Sequence, residues 1–566
     1  MSRFQSRSVY SPKRSQIDLS CEHLTTLDFF RLQPIYCQEM ISGQDTFNVN
    51  IDSFVESAPF VQRVYGSCHL DLHAFFVPYS IIWAHWNSYF YGDSQSTVQS
   101  YSIPYTNFSD FHQIVAADGY SLDQPRVFGS LGYPCYADGR VPDMPLSLLP
   151  ALAYQQIWWD YYRDSRNIEE KDKHNYILSA LIGYQDEPSV LEPLFTPRYR
   201  TYRKDYVSTL IQNPQLGSAA SARVSSSAPN LNTTGTTEYI QLDSNGNVKE
   251  TIARDGVSQI SRQVSAEVLR GTIAMQRYLE RLGIAGGTRP IERLLAEFGV
   301  ESPRMKLNMC DFIGSKSVPI NIQGMVNLGS SQHPTNQPAL GLDGSKAFAF
   351  GKRLSLADAI SKSQTFSYTA KEQGLFIVVA SLIPDFNYYN QLAPEFTRGL
   401  NLTGNDKLDF YRPDFSNLGY EEVLLPEVHI PYVDPNDTYV VEYDPYQVVG
   451  YRPKYESYRF SQNKVTGDFL APFSRNSLFY SCFTRDFHDL GDYTAIQAGL
   501  NLTTSSETDK NFFDKYFANS ENDHFVCRFM IGNNANRPID GSTMPEELTH
   551  VLNSGRHDVS YGGVRL

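Results

Sequence analysis

Apolar residues recur along this chain at two spacings. Alternation with period two marks Thr46 to Asp52 and Cys68 to Phe76 as half-buried strands. A near-continuous apolar run from Leu375 to Ile383, interrupted only by Ser381, reads as a buried strand, and it is too short to cross a bilayer. Phe348–Phe350, Tyr439–Tyr443 and Phe525–Ile531 are further strand candidates. Helical spacing governs the middle of the chain. Val264, Val268, Met275, Leu279 and Leu282 fall on one narrow face, with Ser261 as N-cap and Gly283 as the expected stop. A glycine turn then feeds a short helix with Ile291, Leu294, Leu295 and Phe298 on one face and Gly299 at its end. Leu148 to Arg166 is expected to be helical, and Gly314 to Gln323 to be a turn followed by a strand.

Strands separated by long irregular connections predict a mainly β chain, a sandwich interrupted by insertions. Residues 1–18 are expected to form a basic arm. Arg3, Arg7, Lys13 and Arg14 supply its charge, no acid precedes Asp18, and nothing in it can build a core. Such an arm suits contact with nucleic-acid phosphates and equally suits a solvated terminus. Residues 218–258 are rich in Ser, Ala, Thr, Asn and Gly. Apolar residues return at Tyr239-Ile240-Gln241-Leu242, and Asp243-Ser244-Asn245-Gly246-Asn247 is a turn signal, centred on Asn245 and Gly246. An exposed insertion with a small hairpin, or a linker, satisfies that composition.

Composition narrows the classes. Charged residues are only 19%, below the usual ~25%. Surfaces covered by neighbouring molecules suit that figure, as does a secreted glycan-binding or glycan-cleaving β-sandwich. The formal net charge is −14, so any nucleic-acid contact must be local. The seven cysteines are scattered, odd in number and without a C-x-x-C, which predicts reduced thiols from a cytoplasm. The N-terminus shows no apolar signal region.

Candidate chemistry is sparse. His69, Asp71 and His73 share one face of a strand, as a metal or acid–base cluster would, or as a polar strand face would. Gly344 to Arg353 departs from a phosphate loop at positions 346 and 353. Glu421-Glu422 resembles a glycosidase carboxylate pair only in composition. Arg198, Arg200, Arg203 and Lys204 interleave with Tyr199, Tyr202 and Tyr206. Single-stranded nucleic acid is bound by such mixtures, while an inter-subunit contact or a solvated face has the same pattern. Gly286-Gly287-Thr288-Arg289-Pro290 reads as a tight turn in which Thr288 can cap and Pro290 opens a helix. Arg289 is a candidate for pairing with a neighbouring subunit. The residues call for no catalytic site, no metal and no cofactor, so an enzyme is not expected.

One resemblance runs through the chain. "LRGTIAMQRYLERLGIAGGTRPIERLLAEFGVESP" followed by "GSKSVPINIQ" resembles the central segment of the major capsid protein of the Microviridae, in particular the gokushovirus-like branch. "LTTLDFFRLQPIYCQEMISGQDTF", "HLDLHAFFVPYSIIWAHW", "LLPALAYQQIWWDYYRD", "LDFYRPDFSNLGYEEVL" and "CRFMIGNNANRPI" resemble other words of that family, in the same order. The family more often has His where Lys204 stands.

The resemblance implies an eight-stranded antiparallel jelly-roll β-sandwich with long, partly helical insertions. In these terms residues 19–566 are a single capsid domain, interrupted by an insertion over 87–300 that includes a surface protrusion loop at 218–258. It further implies self-assembly of a T=1 icosahedral bacteriophage virion around a circular single-stranded DNA genome, in a bacterial host's cytoplasm. A small basic internal DNA-binding protein, a minor DNA-delivery protein and a host surface receptor are the implied partners, and no membrane is.

Overall fold

The computed structural model describes residues 14–211 except 61–63, 93–100, 116–122, 136–142, 164–171, 174–176, 204, 206 and 208–209. Beyond them it describes 239–242, 248–252, 266–285, 289–300, 308–327, 353–360, 364–388, 391–393, 420–428, 448–453, 463–469, 481–483, 513–517, 523–539, 560–561, 564–565 and scattered single positions.

Ten strands form the main sheet. They are β1 (Ser15–Asp18), β2 (Cys21–Leu27), β3 (Gln33–Met40), β4 (Asp45–Ser57), β5 (Ser67–Pro78), β6 (Asp311–Asn327), β7 (Arg353–Ile360), β8 (Gln364–Ala370), β9 (Gly374–Pro384) and β10 (Phe525–Arg537). All their pairings are antiparallel, and the path across the sheet is β1-β10-β4-β7-β6-β5-β9-β3. β2 lies end to end with β1 along β10, and β8 end to end with β7 along β4, so the ten strands occupy eight lateral positions.

Alternation decides which side chains meet. Phe47, Val49, Ile51 and Val55 of β4 and Phe525, Cys527, Phe529 and Ile531 of β10 point inward. They join Cys68, Leu70 and Leu72 of β5 and Phe376, Val378, Ala380 and Leu382 of β9 in one buried cluster. Two halves of the sheet thus enclose a common core, as in a β-sandwich. Each Val, Leu, Ile or Phe among them contributes about 1.5–3 kcal/mol by leaving water.

The opposite faces of β5 and β9 are also covered. Phe75, Val77, Leu375, Ile377 and Val379 belong to a second buried cluster, formed with the helices that follow β5. These are α1 (Tyr79–Ile82), α2 (Trp86–Tyr91), α3 (Phe108–Val115), α4 (Asp123–Ser130), α5 (Leu149–Ile157) and α6 (Pro188–Leu194). Burial on both sides explains why β9 reads as a continuous apolar run: every one of its residues is buried. Trp83 is fully enclosed and donates its indole N–H to the Leu181 carbonyl at 2.7 Å.

Several local expectations change. The helix expected over 148–166 is α5 followed by a π-helical turn, Trp158–Tyr162, after which Arg163 is extended. Gly283 does not stop its helix. The element α7 runs Ala266–Ala285, because a single glycine costs only about 1 kcal/mol inside a helix. Ser261 lies outside the described residues. The helix α8 (Pro290–Phe298) ends as expected at Gly299, whose φ of +64° suits glycine. Its N-cap is Arg289, not Thr288, which lies outside the described residues. Gly314 sits in a register shift within β6 rather than in a turn before it. Tyr239–Leu242 and Val248–Ile252 pair antiparallel across 243–247, while Asn245 and Gly246 themselves lie outside the described residues. So do Phe348–Phe350 and Tyr439–Tyr443. All seven cysteines are free thiols. No helix among the described residues is long and apolar enough to cross a membrane.

Candidate nucleic-acid and assembly surfaces

The arginine–tyrosine segment after α6 runs back across the sheet's end. Leu32 N–H donates to the Arg198 carbonyl at 2.9 Å, and Arg200 N–H to the Phe30 carbonyl at 2.7 Å. The backbone is therefore held in an extended path, and its side chains take opposite sides. Arg198 donates Nε to Gln155 Oε1 at 2.6 Å, and its guanidinium lies 4.5 Å over the Trp158 ring. Arg200 donates Nη1 to Asp71 Oδ2 at 2.6 Å and to Ser381 Oγ at 3.0 Å. The Tyr199 hydroxyl donates to Asp123 at 2.7 Å, and Tyr202 packs into the core against Phe30 and Phe386. Here the interleaved cations and rings clamp the insertion onto the sheet.

Arg203 differs. About half of its side chain is exposed, and it pairs with Asp385 at 3.1 Å. It lines an open cleft of about 470 Å³, together with Tyr65, Asp205, Asn463 and Lys464 among others. Lys204 and Tyr206 lie outside the described residues, as do Arg3, Arg7 and Lys13 of the arm. Arg14 is exposed and donates to the Gly43 carbonyl at 3.1 Å and Gln44 Oε1 at 2.9 Å.

His69, Asp71 and His73 do share the outer face of β5, but each turns to a different partner. His69 sits 3.2 Å from Asp385, and Asp71 takes Arg200. His73 Nδ1 is 2.5 Å from the Tyr162 hydroxyl. Among the described residues no three His, Cys, Asp or Glu side chains are grouped to hold a metal. Burial and the nearby Arg200 charge lower the His73 pKa to about 4, while Asp71 opposes them. A folded-state value below the unfolded ~6.5 means that the unfolded chain binds the extra proton first. Stability attributable to His73 is then full above pH 6.5 and declines as pH falls through 4, by about 3 kcal/mol in total. Thermal midpoints at pH 7 and pH 4.5 check this: His73→Gln should shrink the acid-induced drop, and an unchanged drop would refute it.

Arg289 of the glycine turn pairs inside its own subunit. It donates to Glu292 at 2.8 Å and to the Arg163 carbonyl at 2.5 Å, so it fastens the start of α8 to the end of the π-helical turn. Pro290 occupies the first turn of α8, and Gly286 and Gly287 lie outside the described residues.

Pattern reading missed a buried ionic knot. Arg31 is fully buried and donates Nη1 to Asp123 of α4 at 2.6 Å and Nη2 to Asp523, which precedes β10, at 2.5 Å. Arg126 reaches Asp123 at 3.2 Å and Asp523 at 2.8 Å, and Thr26 donates to Asp523 at 2.6 Å. Burial raises the Asp523 pKa, but the Arg31 hydrogen bonds and charge outweigh it, so the carboxyl is held below its usual range. The neighbouring His524 is buried, 3.1 Å from Asp28. The only hint in the sequence is a lone arginine within the apolar word "LDFFRLQPIYC".

Large apolar side chains are exposed at several described places, among them a sheet face and a helix pair. One is the outer face of β2, β10 and β4, where Leu24, Arg528 and Phe54 stand in one row and Val526 and Met530 flank it. The other is formed by α7 and α8.

Comparison with known proteins places the chain in a family. The family model described as capsid protein (F protein) matches residues 3–545. The capsid protein VP1 of Chlamydia phage 1 is 22% identical over 96% of this chain and 97% of its own length. That of Bdellovibrio phage phiMH2K is 24% identical over 87% of each chain, and that of Spiroplasma virus 4 is 22% identical over 80% of this chain and 82% of its own. These matches give the glycan-binding reading no support. The ordered words, the mainly β antiparallel fold and a match spanning nearly the whole length agree: this chain belongs to the phage capsid protein (F protein) family, as a gokushovirus-like major capsid protein.

Proposed function

We propose that copies of this chain close into a small T=1 icosahedral shell, built on jelly-roll sandwiches, around a circular single-stranded DNA genome. The family match over residues 3–545 carries this reading, since a capsid protein is a virion component that assembles with itself. Its work is packing and symmetry: repeated contacts close about rotation axes. At a net charge of −14 the chain cannot neutralise the genome unaided, which supports a small basic internal protein as partner beside a minor DNA-delivery protein. The proposed phosphate contacts are Arg3, Arg7, Lys13 and Arg14 of the arm and the Arg203–Lys204 pair. Arg198 and Arg200 serve the same surface by fixing the segment that carries them.

Residues 218–258 form the proposed outer protrusion, which meets the host receptor. Purified chain viewed by negative-stain electron microscopy beside sedimentation velocity should give uniform closed particles or rings. A monomer at high concentration, with or without the phage's other proteins, would overturn the shell reading. Deleting 218–258 should leave particles intact and reduce adsorption to host cells at least tenfold. Loss of all particles would sink the protrusion assignment.

A further inference from the structure

We propose that the N-terminal arm of this chain folds back over the outer face of β2, β10 and β4 in its own subunit, with Phe4 seated on the apolar patch there.

Strand register makes that patch one surface. Side chains directly opposite each other in an antiparallel pair share a face. Thr26–Val526–Glu56, Leu24–Arg528–Phe54 and Glu22–Met530–Asp52 are three successive outward rows across β2, β10 and β4, while Cys527 and Phe529 between them point into the core. Leu24, Val526, Met530 and Phe54 are 68%, 50%, 49% and 40% exposed. They present roughly 400 Å² to water, as much as the largest patch of a typical monomer. Arg528 stands at the centre of the patch, but Glu22 holds its guanidinium at 2.5 and 3.0 Å, and its aliphatic stem joins the apolar surface between Leu24 and Phe54.

Length and charge name the occupant. Residues 1–13 lie outside the described residues, and Arg14 leads into β1, whose Ser15 is paired with Arg537 at the far end of β10. Eleven residues separate Phe4 from Ser15 and reach ~36 Å when extended. Met530 and Arg528 lie seven and nine positions before Arg537, ~24–31 Å along the strand, so Phe4 reaches the patch with slack for the reversal. Val9 and Tyr10 are too near Ser15, with a reach of ~20 Å or less. Along the way β10 turns outward Asn536, Asn534 and Gly532, and a Cβ at Gly532 would meet nothing nearer than 3.9 Å. The face carries Glu22, Asp52 and Glu56 against the one Arg528, whereas the arm carries Arg3, Arg7 and Lys13 and no acid. Opposite net charges draw the two together. In an extended segment side chains alternate, so Phe4 facing the sheet turns Arg3, Gln5 and Arg7 outward and covers an acidic face with a cationic one. That this cationic side meets the genome rests on the phosphate reading of the arm, whereas the seating of Phe4 does not.

The test uses the full-length chain with a photoreactive benzophenone amino acid in place of Phe4. After irradiation and digestion, mass spectrometry should find it joined to the peptides that hold Leu24 or Met530. Mixing light with heavy-isotope-labelled copies separates links within a chain from links between copies. Links to other parts of the chain alone, or between copies alone, would overturn the proposal. A second readout needs no label. Phe4→Ser and, independently, Met530→Ser should each speed tryptic cleavage after Arg7 at least fivefold and leave the thermal midpoint unchanged. Position 4 precedes every strand, so Phe4→Ser reports even if Met530→Ser fails to fold, and cleavage of Phe4→Ser at the wild-type rate would also overturn the seating. Both readouts work on the unassembled subunit, so their outcome is separate from that of the shell reading.

Discussion

Replacing Arg31 by alanine should cost the fold about 3–5 kcal/mol, because two buried carboxylates lose the cation between them. Asp123 and Asp523 are each about 1% exposed, and Arg31 lies 2.6 and 2.5 Å from them. Arg126 stays in place at 3.2 and 2.8 Å, so one cation remains for two carboxylates. A domain with about 5–15 kcal/mol of total stability cannot absorb much more than that loss. Unfolding of so long a chain is commonly irreversible, so the measurable result is a thermal midpoint lowered by several degrees together with a drop in soluble yield. Arg31→Met combined with Asp523→Asn should recover much of the loss, since the uncompensated charge is then gone. A variant Arg31→Ala with a wild-type midpoint would show that the knot contributes nothing net. The loss should be felt across the whole molecule, because the knot ties the β2–β3 connection, α4 in the insertion and the entrance to β10.

Gly374→Val should be of similar severity, for a steric reason. Gly374 opens β9 opposite both Pro78 of β5 and Met40 of β3. A Cβ there would press on the Val77 carbonyl oxygen, 2.8 Å from Pro78 Cα and 2.9 Å from the Phe76 ring. Two of those three obstacles are backbone, and backbone cannot rotate aside as a side chain can. Relief requires β5 and β9 to separate at the point where both of their faces are packed, at a cost of about 3 kcal/mol or more. Thermal melting and hydrogen exchange at β5 and β9 amides check it. Exchange protection unchanged at Phe376 and Phe76 would refute the steric argument. Gly271 of α7 is a useful control, because a Cβ there meets nothing within 4 Å. Gly271→Ala should be neutral or slightly stabilising in the subunit.

Much of the fold was legible because strand and helix periodicity is a local property. Thr46–Asp52 and Cys68–Phe76 alternate, and the structure places both in long strands with alternate residues in one core. The run Leu375–Ile383 reads as a buried strand, and the structure covers it on both sides. Gly299 and Pro290 marked the ends of α8 because turn and cap chemistry is also local. The family words, in order, carried the identification.

What the sequence could not decide is where charged side chains go, because their partners are distant in the chain. Arg31 finds Asp523 492 positions away, and Arg200 finds Asp71 129 positions away. Read locally, Arg198 and Arg200 among tyrosines suit a nucleic-acid groove, an inter-subunit contact or a solvated face alike. In three dimensions they brace the insertion against the sheet, and among the described cations of the segment only Arg203 keeps half of its side chain in solvent. The helix α7 marks the same boundary. Its amphipathic pattern is visible in one dimension, but pattern alone says that an apolar face will be covered, not by what. Tertiary structure turned Glu280 inward beside Gln276 and Leu279, while Met275 of the expected apolar face stays half-exposed. Periodicity fixes the shape of an element, whereas the direction in which it faces depends on contacts summed over the whole chain.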